Sequence, residues 1–195
     1  MNNKKGFTLA EAMVALLLSA IIIAAVYTVF ATQEKIYSVQ DQICEMQQNC
    51  RVGLDRMVKD LRMAGYDPSG STTAGIVTAK ANFIRIIADL DGDGIIDADE
   101  DISYYLYDSG NDNDLDLGRK IRGASVQPLV ENISSSGLQF RYFDVSSNEL
   151  SAPVTTLGLV RKIEVCVTAQ TEKPYQNTGK HLTRTLKSMV TPRNL

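Results

Sequence analysis

The sequence predicts an α+β protein: one long N-terminal helix, its first half embedded in a membrane, packed through its second half on a C-terminal antiparallel β-sheet. Three observations predict it. Ala12 to Ala31 is an apolar run of membrane-spanning length. From Gln33 to about Ala64 an apolar stripe continues at helical spacing with no proline. Beyond Pro68 the chain turns to short β-branched and aromatic segments separated by turn residues.

The apolar run is roughly 20 residues, enough to cross the ~30 Å hydrocarbon core at 1.5 Å rise per residue. Its interruptions, Ser19, Tyr27 and Thr28, are mild. Lys4 and Lys5 precede it and no acid comes before Glu11. That asymmetry predicts a cytoplasmic N-terminus, with the bulk of the chain outside. Glu11 sits at the edge of the run. An ionised side chain there is costly in lipid, so its presence points to function. A competing reading is a secretory signal peptide cut near Ala24-Ala25 or Ala31-Thr32.

The second half of the helix is amphipathic. Ile36, Val39, Ile43, Met46, Cys50, Leu54, Met57 and Leu61 form one stripe. Polar residues such as Asp41, Glu45, Arg51, Asp55, Lys59 and Asp60 fill the other side. Gly65 is placed to cap the C-terminus, and Pro68 blocks continuation. The helix is expected from about Phe7 to Ala64, roughly 85 Å. A coiled coil would use the same stripe. The strand-like sequence that follows offers a sheet to cover it instead.

Ser69 to Gly75 reads as a loop. Strands are expected at Asn82 to Ala88, Ile102 to Tyr107, Gly118 to Ala124, Leu138 to Val145, Leu157 to Ala169 and Leu182 to Val190. Two of these alternate clearly. Ile84 and Ile86 oppose Phe83, Arg85 and Ile87; Ile163, Val165 and Val167 oppose Lys162, Glu164 and Cys166. Such alternation predicts a sheet with one face on the helix and one partly wet.

Between the first two expected strands, residues 89–100 fit the twelve-position EF-hand calcium loop. Asp89, Asp91, Asp93 and Asp97 fall at positions one, three, five and nine, and Glu100 at twelve. Gly94 allows the turn, and the carbonyl of Ile95 would supply position seven. Calcium takes six to eight hard oxygen ligands at about 2.4 Å, and alternate residues of a tight loop point inward to provide them. The flanking segments read as strands, so Asp99 or a carbonyl could replace Glu100, and a sensor that opens a groove is not expected. A structural role for Ca2+ is the reading; a merely solvated acidic turn competes with it. A second acidic stretch, Asp108 to Asp116, could supply ligands to a second ion or to the first across the sheet, but it lacks a clean template and reads rather as a solvated hairpin loop.

Gly6-Phe7-Thr8-Leu9-Ala10-Glu11 resembles the cleavage motif of type IV prepilins and type II secretion pseudopilins. The resemblance implies cutting between Gly6 and Phe7 by a prepilin peptidase, with N-methylation of Phe7 and retention of the apolar helix. It implies that Glu11 meets the N-terminal amine of a neighbouring subunit during assembly. A carboxylate and an ammonium that meet in lipid relieve each other's desolvation. Arg62-Met63-Ala64-Gly65-Tyr66 and the closing Pro192-Arg193-Asn194-Leu195 are similar to PilW-like minor pilins. The implied organisation is a leader at 1–6, a membrane and assembly half at 7–31, an amphipathic half at 32–65, and a β-rich domain at 66–195. Implied partners are major and minor pilins, the prepilin peptidase, the inner-membrane assembly platform and, before assembly, lipid.

The net charge is −3, and processing would remove Lys4 and Lys5. No basic cluster with interleaved aromatics is visible along the chain, so no direct nucleic-acid role is expected. Cys44 and Cys50 are poor partners on one helix; a Cys50–Cys166 bridge is conceivable, but Cys166 shares a face with Lys162 and Glu164. The single histidine, His181, belongs to no ligand or nucleophile pattern, and no catalysis is expected. Three readings stand: a minor pilin of the pilus tip, a minor pseudopilin of type II secretion, and a membrane-tethered calcium-dependent adhesin that does not polymerise.

Overall fold

The computed structural model describes residues 6–70, 73–110, 114–175 and 178–195. Lys4 and Lys5, and residues 111–113 of the second acidic stretch, lie outside them. The chain forms two compact units, residues 1–42 and 43–195. One helix, α1 (Leu9–Met63), supplies part of both.

In the first unit α1 begins two residues later than expected. Thr8 is its N-cap, and Ala10 to Gln42 continue it without a break. The hydroxyls within the apolar run donate to carbonyls of the preceding turn: Ser19 Oγ to Ala15 O at 2.7 Å, Thr28 Oγ1 to Ala25 O at 2.7 Å. These two hydroxyls are satisfied within the helix, which suits a segment meant for lipid.

In the second unit α1 packs on an antiparallel sheet. Its strands are β1 (Gly75–Ala79), β2 (Phe83–Ile87), β3 (Asp101–Tyr107), β4 (Leu115–Ile121), β5 (Gln127–Phe143), β6 (Glu149–Leu150), β7 (Lys162–Gln170) and β8 (Thr183–Val190). The order is β1-β2-β3-β4-β5-β7-β8, with β6 paired to β5. Met46, Cys50, Leu54, Met57 and Leu61 of the expected stripe are buried, while Ile36 stays exposed. They meet Ile84, Ile86, Leu117, Phe140, Val165 and Val167 from the sheet. Gly53 is part of this contact: a Cβ there would stand 2.2 Å from Val130 Cγ2. Gly65 (φ +81°) ends the helix as expected. The chain's end returns to it, with Arg193 N–H donating to Arg62 O at 3.2 Å.

A polar cluster also joins helix to sheet. Asp60 accepts from Tyr104 Oη at 2.6 Å and Arg119 Nε at 2.8 Å, with Arg56 at 3.4 Å. Burial, then the adjoining Asp60 carboxylate, push the Tyr104 phenol well above its ordinary range.

Several strand limits differ from expectation. β1 occupies residues placed at and beyond the end of a loop. β4 starts at Leu115, three residues early. β5 is 17 residues long and starts well before Leu138. Its register with β7 slips between Ile133 and Leu138, which lets one strand bond β4 and then β7. Leu157–Leu159 is a 3-10 turn, and β7 begins only at Lys162.

Candidate functional site at the apolar helix and the acidic loop

Gly6 and Phe7 precede α1 in exposed chain without regular structure; Phe7 is 91% exposed. A peptide bond in that state can be reached by a protease. Glu11 forms a capping box with Thr8. Thr8 N–H and Thr8 Oγ1 both donate to Glu11 Oε2 at 2.9 Å, and Glu11 N–H donates to Thr8 Oγ1 at 3.3 Å. The Thr8-x-x-Glu11 spacing carried this signal, and sequence reasoning had assigned Glu11 only a role between subunits. From Leu9 to Phe30 the large apolar side chains are all more than half exposed. An 18-residue window of the helix has mean hydropathy 2.6 with no part buried. An apolar surface of that length fits lipid or neighbouring helices better than water.

The acidic loop joins β2 to β3. Asp89 is fully buried; Oδ1 accepts from Gly92 N–H at 2.7 Å and Oδ2 from Gly94 N–H at 3.1 Å. Gly94 takes φ +80°, where a side chain would strain the turn. Asp91 Oδ1 accepts from Asp93 N–H at 3.1 Å, and Asp93 Oδ1 from Ile95 N–H at 2.7 Å. These turns gather the ligand atoms of Asp89, Asp91 and Asp93 within 4.8 Å of one another. The Asp93 N–H draws the Asp91 carboxyl down, but desolvation and the charges of Asp93, Glu100 and Asp89 outweigh it and raise its pKa.

Asp97 and Glu100 lie outside that group. Glu100 is 3% exposed and staples the loop: Oε1 accepts from Leu90 and Asp91 N–H, and Oε2 from Asp97 N–H at 2.9 Å. Asp97 is the exposed N-cap of the 3-10 turn Ala98–Glu100, and Ile95 is exposed beside it. Three carboxylates therefore converge, with the other three expected ligands on the same loop but serving its backbone or facing solvent.

Cys44, Cys50 and Cys166 are free thiols. His181 Nδ1 lies 2.5 Å from the carbonyl oxygen of Thr171, which ties together two loop strands and gathers no acid or nucleophile.

Residues 1–27 match the prokaryotic N-terminal methylation motif. No curated protein matches the chain by sequence. Among solved structures the chain is similar to a type IV-like pilin from Thermus thermophilus, at 12% identity and TM-score 0.42, over 76% of this chain and 97% of that one. The chain thus carries the prokaryotic N-terminal methylation motif, and that motif opens onto an exposed apolar helix.

Proposed function

We propose that the chain is a minor, PilW-like type IV pilin. It takes part in initiating pilus assembly and sits at the pilus tip, with a structural calcium ion in the loop 89–100. Before assembly residues 7–31 anchor it in the inner membrane, N-terminus cytoplasmic and the β-rich domain outside. One observation carries the reading: an apolar helix with a single acid at its entrance follows directly on an exposed Gly6-Phe7 bond within the methylation motif. Prepilin peptidase cuts that bond, and Glu11 pairs with the amine of a neighbouring subunit. The PilW-like assignment is supported by the two segments that resemble that group. Arg62 to Tyr66 and the closing Pro192 to Leu195 sit together, through Arg193 N–H on Arg62 O and the Asn194 backbone against Gly65.

Intact mass and N-terminal sequencing of the protein from membranes of its native host test this. The expected chain begins at methylated Phe7. A chain beginning beyond about Ala25 overturns the assembly reading and leaves a secreted domain.

A further inference from the structure

Among the described residues the sheet has one open edge. Its strand order leaves β1 and β8 at the margins. β1 is closed off: its register slips between Ile76 and Thr78, and Val154 N–H donates to Ala79 O at 2.9 Å. β8 pairs with β7 without interruption from Thr183 to Val190, with no bulge and no proline. A long, regular edge of that kind is a template for another strand.

The register shows which backbone groups are offered. Just before β8, Thr171 N–H donates to Leu182 O at 2.9 Å, so Thr171 and Leu182 face each other as a hydrogen-bonded pair. Such pairs alternate along an antiparallel ladder with pairs whose N–H and C=O groups turn away. Arg184, Leu186, Ser188 and Val190 therefore bond β7, while Thr183, Thr185, Lys187 and Met189 direct their backbone groups outward. All four outward residues are exposed, and no loop or side chain among the described residues bonds their backbone.

Charge selects the strand that fits. From Lys180 to Leu195 the sequence carries Lys180, Arg184, Lys187 and Arg193 and no acid, in a chain whose net charge is −3. Arg184 and Lys187 are exposed. The Glu164 carboxylate, opposite Met189 in the register, is already taken by Arg141 at 2.9 Å. Edge cations disfavour a basic strand and favour acids directly opposite. The two cations lie on different faces. Arg184 alternates with Leu186, which is partly buried against the core; Lys187 alternates with Met189, which is 50% exposed.

We propose that β8 takes up an extended acidic segment of a partner protein as an added strand. An antiparallel partner would set an apolar residue beside Met189 and, two positions on, an acid beside Lys187. The next residue, beside Leu186, is apolar, and an acid follows two positions later beside Arg184. Main-chain hydrogen bonds give the affinity, and this alternation gives the specificity. A second copy of the chain fits worse, since its own β8 brings the same cations and no acid. The contact does not depend on the assembly reading.

The test uses the full chain in detergent micelles and the fluorescein-labelled peptide TVTDVTET, which carries that pattern. N-methylation of its aspartate and of the threonine two residues later removes N–H groups that would meet β8. N-methylation of its second valine and its glutamate removes N–H groups that would face away. The unmodified and outward-methylated peptides are expected to bind alike, and more weakly as salt is added. The inward-methylated peptide, and a version with lysine at both acid positions, should bind at least ten-fold more weakly. Lys187→Glu should weaken the unmodified peptide at least ten-fold with the melting midpoint unchanged. Four results overturn the proposal: no binding at millimolar peptide, equal binding of the inward- and outward-methylated peptides, equal binding of the lysine version, or unchanged binding by Lys187→Glu.

Discussion

Asp60 shows how one residue can be misread from its neighbours in sequence. It belongs to the polar side of the amphipathic helix, yet its side chain is only 10% exposed, because Tyr104 and Arg119 reach it from β3 and β4. Removing Asp60 would leave the largely buried Arg119 guanidinium without its carboxylate. Asp60→Ala is therefore expected to cost about 3 kcal/mol or more. Tyr104→Phe removes one donor but leaves the ion pair, and should cost about 1.5 kcal/mol. Urea unfolding of the two variants checks the order; equal losses would mean that the charge pair contributes nothing of its own. Cys50 gives a pH dependence. Burial first, then the neighbouring Cys166, push its thiol up to about 11, against a small lowering by the Ala169 N–H. Above pH 9 the unfolded chain releases this proton while the folded chain keeps it. Stability should fall as pH rises from 9 to 11, and it falls further as the raised phenols of Tyr104 and Tyr142 are reached. At pH 8 an alkylating reagent should label exposed Cys44 and spare Cys50 until the domain unfolds.

At the scale of elements, the acidic loop makes the clearest prediction. Asp89 holds two backbone N–H groups and is buried, so Asp89→Asn should destabilise with or without calcium. Asp93 is exposed and serves mainly to bring a third carboxylate to the cluster. Asp93→Asn should leave the midpoint without calcium nearly unchanged and abolish most of the calcium-dependent gain. With extracellular-type affinities of ~10⁻⁴–10⁻³ M, ten-fold excess calcium gives about 1.4 kcal/mol, or roughly 3–6 °C for a domain of this size. Thermal melts with and without calcium measure it; a midpoint that does not move removes the structural ion. Gly53 tests the helix–sheet contact. Alanine would gain helix propensity, but its Cβ meets Val130 at 2.2 Å. Overpacking is expected to win, with a net loss of about 1–3 kcal/mol.

Much of this was legible in the sequence, for physical reasons that also mark where reading stops. The buried positions on α1 follow from their spacing alone from Met46 to Leu61, and Ile84 and Ile86 follow from alternation. β1 escaped because its five residues sit against a Gly- and Ser-rich stretch and pair through an irregular register. The first half of β5 escaped because Pro128, Asn132 and Gly137 interrupt it; Asn132 takes φ +58° where the strand changes partners. In the loop, the twelve-position pattern named residues that share a segment. Only the backbone path decides which carboxylates converge and that Glu100 turns back on Leu90, Asp91 and Asp97. The row of Arg85, Ser103 and Lys120 was invisible, since these residues come together only through cross-strand register.

At the scale of the whole molecule, the question is why the chain keeps an acid at the entrance of its apolar helix. A helix of residues 7–31 with Ala in place of Glu11 would enter a bilayer more readily, since a carboxylate at depth is penalised by a few kcal/mol. Thr8 offsets part of that penalty within the chain by donating its N–H and hydroxyl to the carboxylate. On the proposed reading those bonds would make the acid tolerable in an unassembled subunit without cancelling its charge. A neighbour's N-terminal amine would complete the compensation, and only in the assembled state. Glu11→Gln separates the two contributions, because the amide oxygen still accepts from Thr8 but offers no charge. Glu11→Gln and Glu11→Ala should both insert in the membrane and both be cut after Gly6, whereas replacing Gly6 should block cutting. Both Glu11 variants should be depleted at least ten-fold from sheared filaments relative to membranes, as read by immunoblot of the two fractions. If Gln incorporates like the parent chain, Glu11 acts through its capping box rather than through charge, and the pairing between subunits is wrong.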